Sequence, residues 1–140
     1  MRLTASIEFR ESISDHDEYF ALFESTGWNK EYCLTPEQLQ AAVLSSWRLL
    51  AAYENGELVG TGRVISDGAF HALIVDVMVT ARLRRQGLGA VIVERLLESC
   101  REAGLRDVQL FCARGQAPFY RRLGFRERPA EAPGMEFKPA

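Results

Sequence analysis

Apolar and polar residues alternate from Arg2 to Arg10. Leu3, Ala5, Ile7 and Phe9 share one side, and Arg2, Thr4, Ser6, Glu8 and Arg10 the other, the period-two mark of a strand with one buried face. From about Asp15 to Glu24 the period lengthens. Tyr19, Phe20 and Phe23 form the apolar side of a short helix that Ser14 or Asp15 caps. Ser25 to Tyr32 reads as a loop with two large aromatics, Trp28 and Tyr32. At Thr35-Pro36-Glu37-Gln38 a second helix begins, with Thr35 as cap, Pro36 in the first turn and Gln38 closing a capping box. It runs to about Ser45.

The period then returns to two. Trp47 to Glu54 and Glu57 to Ile65 read as strands joined by Asn55-Gly56, a dipeptide suited to a hairpin whose turn residues both need positive φ. Asp67-Gly68 marks another turn, and Ala69 to Val79 is a nearly continuous apolar strand, which predicts a central, buried position. Leu88 to Ala103 is helical in pattern and ends at Gly104, although the β-branched run Val91-Ile92-Val93 goes against helix propensity. A short strand over Asp107 to Ala113, a short helix over Gln116 to Leu123, and strands near Phe125 and from Met135 to Lys138 complete the chain. The order is β-α-α-β-β-β-α-β-α-β-β. The β-α-β from Ala69 to Ala113 demands a parallel crossover, whereas the preceding strands are antiparallel. The fold class is therefore α/β (α+β): a mixed, mostly antiparallel twisted sheet flanked by helices.

Composition narrows the function more than the fold. The 140 residues suit one domain spanning 1–140, with 47% hydrophobic and 26% charged residues. Seventeen basic against nineteen acidic residues leave a net charge of −2, which argues against a nucleic-acid partner. No apolar run reaches the eighteen residues or so of a membrane span. Cys33, Cys100 and Cys112 are odd in number and widely spaced, so neither a disulfide framework nor a zinc site is implied and no metal is expected. A reducing, cytoplasmic setting is the expectation, and the N-terminus has no leader-type apolar block.

The chemistry concentrates in Arg84-Arg85-Gln86-Gly87-Leu88-Gly89, between the apolar strand and the long helix. The first N–H groups of a helix lack intrahelical partners, and the helix dipole favours an anion there. Glycine lets a phosphate approach the backbone, and Arg82, Arg84 and Arg85 bring cationic charge to the same place. A dinucleotide fingerprint would need a third glycine where Ile92 stands, and a P-loop would need Gly-Lys-Ser/Thr, which does not occur. Taken alone, the loop reads as a pyrophosphate cradle or as a glycine turn with a solvated basic edge.

With this loop preceded by Asp76-Val77-Met78-Val79 and followed by Phe119-Tyr120-Arg121-Arg122-Leu123-Gly124-Phe125, the chain resembles the GNAT superfamily of acetyl-CoA-dependent N-acetyltransferases. The likeness is closest from Leu49 to Phe137. Gly62-Arg63-Val64-Ile65-Ser66-Asp67, with Asp76-Val77, is similar to the branch that includes arylalkylamine (serotonin-type) acetyltransferases and bacterial relatives. The resemblance implies acetyl-CoA as co-substrate. Val77, Met78 and Val79 would offer backbone groups to the pantetheine arm and the acetyl carbonyl. Arg84, Arg85, Gln86, Gly87, Leu88, Gly89 and Ala90 would hold the pyrophosphate, and Phe119 would flank the coenzyme. Tyr120 stands at the position of the usual general acid. Where many members carry an asparagine before that helix, this chain has Arg114-Gly115-Gln116, with Gln116 as the substitute. The acceptor would be a small primary amine or a protein amine, and the resemblance carries the expectation of a homodimer.

Acetyl transfer by direct attack in a ternary complex needs a neutral amine, donors for the developing oxyanion and a proton for the departing thiolate. The Met78 N–H is the expected oxyanion donor. Tyr120, with an ordinary pKa of about 10, is the acid that the resemblance implies, although the residues alone favour a core aromatic. Asp76, a carboxylate in an apolar strand, is a general base through water, a site for the acceptor ammonium, or a structural partner of a nearby loop. Trp28, Tyr32 and Phe70 are the candidates for an aromatic acceptor pocket, Cys100 and Cys112 fit core positions, and His71 reads as an exposed histidine. The reading from another class is an acetyl-CoA-binding sensor without catalysis, which would leave Tyr120 and Asp76 idle.

Overall fold

Turns set the sheet. Asn55 and Gly56 both have positive φ, 51° and 80°, the geometry whose twist matches the flanking strands. The structure is a computed structural model describing residues 6–138. Its elements are β1 (Ile7–Arg10), α1 (His16–Ser25), α2 (Asn29–Tyr32), α3 (Pro36–Leu44), β2 (Arg48–Glu54), β3 (Glu57–Ser66), β4 (His71–Val79), α4 (Leu88–Glu102), β5 (Asp107–Leu110) and α5 (Ala117–Arg122), with a 3-10 turn at Ala81–Leu83. The five strands lie in chain order. All neighbours are antiparallel except β4 and β5, which run parallel from His71↔Asp107 to Ile74↔Leu110.

The sheet is covered on both faces. On one, α4 packs Leu88, Ile92, Leu96 and Cys100 against Val59, Val64, Ala72 and Ile74. On the other, α1 and α3 pack Tyr19, Phe23, Leu39 and Val43 against Leu49, Tyr53 and Met78. Packing explains why Val91-Ile92-Val93 is helical. Ile92 and Val93 are wholly buried, worth about 1.5–3 kcal/mol each against a propensity cost below about 0.7 kcal/mol per residue. The helix lies directly on β3: a Cβ on Gly62 would stand 2.8 Å from Ile92 Cγ2 and 2.9 Å from Leu96 Cδ1.

The capping box at Thr35 forms as expected, and Asp15 caps α1. Elsewhere the expectations need correction. Residues before Ser6 in the first strand lie outside the described residues, and the strand itself is Ile7–Arg10. The expected loop around Trp28 contains one helical turn, closed by Cys33 in the left-handed region at φ 55°. β4 is only half-buried in its later part, because β5 pairs with it only as far as Ile74 and leaves that edge open. β5 stops at Leu110 rather than Ala113. The strands expected near Phe125 and at Met135–Lys138 do not form among the described residues. Pro129 and Pro133 remove ladder donors, the tail closes its own turn through Ala132 N–H to the Pro129 carbonyl, and Met135 and Phe137 stay exposed.

Candidate active site

The site begins where β4 and β5 part. β5 follows β4 only to Ile74, so the outer edge of β4 from Val75 to Val79 has no strand partner. On the inner edge the register slips by one residue: Thr61 faces Met78 and Arg63 faces Val75, so Asp76 and Val77 together oppose Gly62. This is a β-bulge, and Asp76 sits in it at φ 53°. Thr80 N–H donates to the Val59 carbonyl of β3 at 2.8 Å. Alternation along the strand then turns the Met78 N–H toward β3 as well and points the backbone groups of Val77 and Val79 to the open edge. Met78, the expected oxyanion donor, thus turns its N–H to β3, and Val77 turns its N–H to the open edge, since an odd or even place in the strand decides which edge an N–H faces. Consistently, the Val79 carbonyl on that edge accepts a hydrogen bond from Arg84 Nε at 3.1 Å.

The chain passes from Val79 through the 3-10 turn into Arg85, at φ 64°, and Gly87, at φ 93° and the N-cap of α4. No side chain caps this helix. Its first backbone bond runs from Val91 N–H to the Gly87 carbonyl at 3.1 Å, so the N–H groups of Leu88, Gly89 and Ala90 have no helical acceptor. Arg82 does not join the cluster: its guanidinium is 2.7 Å from Glu54 and 3.0 Å from Glu57. Gln86 turns back to the Arg82 carbonyl at 3.1 Å. Neither Arg84 nor Arg85 forms an ion pair among the described residues, so both charges stand beside the helix start, with Arg84 turned to the Val79 carbonyl.

The third piece arrives from α5. A Cβ on Gly89 would lie 3.5 Å from Phe119 Cζ and 3.7 Å from Val79 Cγ2, so the end of β4, the start of α4 and the first turn of α5 meet at Gly89. Gln116 is the N-cap residue of α5, and its carbonyl accepts the Tyr120 N–H. The Tyr120 ring packs edge-on against Phe119 and Phe125, with centroids 4.9 and 5.8 Å away. Burial pushes its hydroxyl above the ordinary tyrosine value, and the nearby Cys112 adds to the rise. It is thus a hydroxyl held protonated, as a proton donor must be. A pyrophosphate fits this setting of free N–H groups, a glycine without Cβ and an unpaired guanidinium.

Asp76 is not free. Its Oδ2 lies 2.9 Å from Arg63 Nε, with both side chains largely buried, and Arg63 Nη1 also donates to the Ala42 carbonyl at 3.3 Å and approaches Ser46 Oγ at 3.2 Å. Of the three readings open for Asp76, the structure supplies a partner for the structural one. The Tyr19 hydroxyl is buried beside this group, within electrostatic reach of Thr61, Arg63 and Asp76 but without a hydrogen bond of ordinary length. Burial, with the Asp76 charge adding to it, pushes Tyr19 up to about 12.

The aromatic candidates separate. Trp28 packs edge-on against Phe23 at 6.1 Å and closes the α1–α3 core. Tyr32 is exposed. Phe70 precedes the opposite end of β4, roughly 25 Å from Val79 at ordinary strand rise. There it stacks on His71 at 3.9 Å, and His71 Nδ1 lies 2.5 Å from Asp107 Oδ2. The fold therefore keeps Phe70 away from the other site residues, contrary to its expected place in an acceptor pocket. Cys100 is buried as expected, but Cys112 is exposed, because the chain leaves the sheet at Leu110. Sequence reasoning gave no role to Arg63, Thr61 or Tyr19. The signal was the alternation Gly60-Thr61-Gly62-Arg63: glycines on the face that meets α4 put the polar pair on the other face.

Comparison with known proteins identifies the family and the fold. The model of the acetyltransferase (GNAT) family matches residues 10–125. An uncharacterised N-acetyltransferase of Pyropia yezoensis is 29% identical over 143 residues, covering 95% of this chain and 80% of that protein. Serotonin N-acetyltransferase 2, chloroplastic, of Oryza sativa subsp. japonica is 34% identical over 87 residues, 62% of this chain; the match spans 44% of that protein's length. Among solved structures, an acetyltransferase of the GNAT family from Streptococcus pneumoniae superposes with a TM-score of 0.78 at 24% identity, covering 95% of this chain and 96% of that one. At that identity the likeness concerns the fold.

Proposed function

Since the chain belongs to the acetyltransferase (GNAT) family and is thereby an acyltransferase, we propose that it moves the acetyl group of acetyl-CoA to a small primary amine by direct attack in a ternary complex. The observation that carries this reading is the meeting at Gly89 of the open β4 edge, the uncapped start of α4 and the Phe119–Tyr120 segment. Acetyl-CoA would supply the activated thioester. Leu88, Gly89 and Ala90 N–H groups and Arg85 would bind its pyrophosphate, with Arg84, Gln86 and Gly87 shaping the loop. Val77 and Val79 would pair along the open edge, Met78 would anchor β4 from the core side, and Phe119 would flank the arm, with Gln116 at the head of its helix.

In this reading the amine attacks as its neutral fraction and its proton passes to water. The Val77 N–H donates to the carbonyl oxygen as negative charge develops there. The carbon–sulfur bond breaks, and Tyr120 gives its hydroxyl proton to the thiolate and recovers one from solvent. Asp76 enters through the bulge it occupies rather than as a proton acceptor. Tyr32, exposed on the α1–α3 side, is the aromatic we assign to the acceptor, and Trp28 stays with the core it closes. The test is thiol release from acetyl-CoA across a panel of arylalkylamines, polyamines, amino sugars and a lysine peptide. Turnover on a small amine is expected. Tight acetyl-CoA binding without turnover on any amine would refute the enzyme reading, and turnover on the peptide alone would refute the small acceptor.

A further inference from the structure

The buried Arg63–Asp76 pair has no part in the proton chemistry above. A bulge whose first residue is left-handed usually takes glycine, which adopts that conformation freely. Here the residue is Asp76, at φ 53°, which carries a conformational cost that glycine would not. The aspartate makes sense through its partner. Arg63 Nε holds Oδ2 at 2.9 Å, and the same guanidinium is anchored to the Ala42 carbonyl and Ser46 Oγ at the end of α3. The pair thus ties the bulge to the helical layer. Stability alone is a weak reason for it, because burying two charges offsets much of their attraction.

The backbone torsions at Asp76 set the plane of the Asp76–Val77 peptide, and that plane fixes the direction of the Val77 N–H. If Asp76 relaxed to extended backbone, the slip at Gly62 would be lost and the side chains beyond it would exchange faces. Val77, which lies 3.6 Å from a Cβ position on Gly62 and packs toward α4, would leave that core. We propose that Arg63 is a positioning residue which, through Asp76, holds the β4 bulge left-handed and so aims the Val77 N–H at the acetyl carbonyl. The inference rests on the reading that acetyl-CoA lies along the open edge of β4.

The test compares the full chain with Arg63→Met and with Arg63→Met/Asp76→Gly, in which glycine accepts the left-handed torsion without a partner. For the single variant kcat should fall about tenfold or more, the scale of a misaimed oxyanion donor, while the Kd of acetyl-CoA by titration calorimetry changes less. The double variant should recover most of kcat. In ligand-free ¹⁵N–¹H spectra the Val77 amide should move in the single variant and return in the double. An unchanged kcat in a folded Arg63→Met chain overturns the proposal. So does a double variant that folds, as judged by circular dichroism, yet stays as slow as the single, since the Asp76 carboxylate itself would then be required. If the wild-type chain transfers no acetyl group, the functional reading fails, and the amide spectra still decide whether Arg63 holds the bulge: an unmoved Val77 resonance overturns it.

Discussion

Adding one methyl group at Gly62 should lift α4 off the sheet. The new Cβ would lie 2.8 Å from Ile92 Cγ2 and 2.9 Å from Leu96 Cδ1, closer than carbon atoms pack, and both neighbours are buried, at 0% and 1% exposure. Ile92 Cγ2 sits on a branched carbon and cannot swing away without moving the helix axis. Overpacking of this kind costs about 1–3 kcal/mol. Set against it, alanine stiffens the unfolded chain relative to glycine by about 0.4–1 kcal/mol. The net loss expected for Gly62→Ala is about 1–2 kcal/mol, or roughly 3–8 °C in Tm for a domain of this size. Chemical denaturation with a double-mutant cycle checks the cause. Ile92→Ala alone should cost about 2–5 kcal/mol, but in the Gly62→Ala background about 1 kcal/mol less, because it removes the clash. Gly62→Ala with unchanged or raised Tm, or strict additivity with Ile92→Ala, would refute the account of α4 seated on β3. Because Leu88, Gly89 and Ala90 begin that helix, acetyl-CoA affinity should fall with the stability.

Tyr120→Phe should lower kcat about 100-fold, within the usual span of a general acid, with a smaller change in acetyl-CoA binding by calorimetry; an unchanged rate would remove Tyr120 from the mechanism. Burial raises this hydroxyl above its ordinary value, so the protonated form persists past pH 10 or so, and an alkaline limb of kcat at or below about pH 9 would belong to another group. Tyr19 offers a stability test of the same sign. Its pKa rises from 10.0 to about 12 on folding, so its contribution is fully present below the unfolded value and is lost as pH rises toward the folded one. Urea titrations should show the wild-type chain losing about 1 kcal/mol relative to Tyr19→Phe between pH 9 and pH 11; parallel curves would contradict the burial of this hydroxyl. Arg85→Ala should weaken acetyl-CoA binding about ten- to a hundredfold, the scale of one charge-assisted contact. Arg82→Ala, whose charge is already engaged by Glu54 and Glu57, should change it less than about twofold and leave Tm nearly unchanged, as exposed ion pairs contribute little. Equal effects of the two would misplace the phosphate.

Much of this protein is local and therefore legible in its sequence. Asn55-Gly56 dictates the hairpin because few other residues accept two consecutive positive φ values. Thr35-Pro36-Glu37-Gln38 dictates the start of α3 because each residue satisfies a specific unpaired group. The glycine loop before α4 is legible for the same reason: the start of a helix and two glycines lie within a few residues of one another. The tail was misread because the alternation near Met135 is a necessary condition for a strand, whereas an available sheet edge is a tertiary one.

What only the tertiary structure decided is which groups face one another. Asp76 could be a base, an ammonium site or a structural partner until β3 brought Arg63 to 2.9 Å. Met78 and Val77 are equivalent as sequence, and the bond from Thr80 to Val59 selects between them by fixing which edge each N–H meets. Phe70 and Trp28 are equally candidates for an acceptor aromatic by residue type, yet one lies at the far end of β4 and the other closes a core. Backbone propensity acts between neighbours in the chain, so residue order carries it. Register and edge arise from contacts between segments far apart in the chain, and a single slipped residue at Gly62 changes them all.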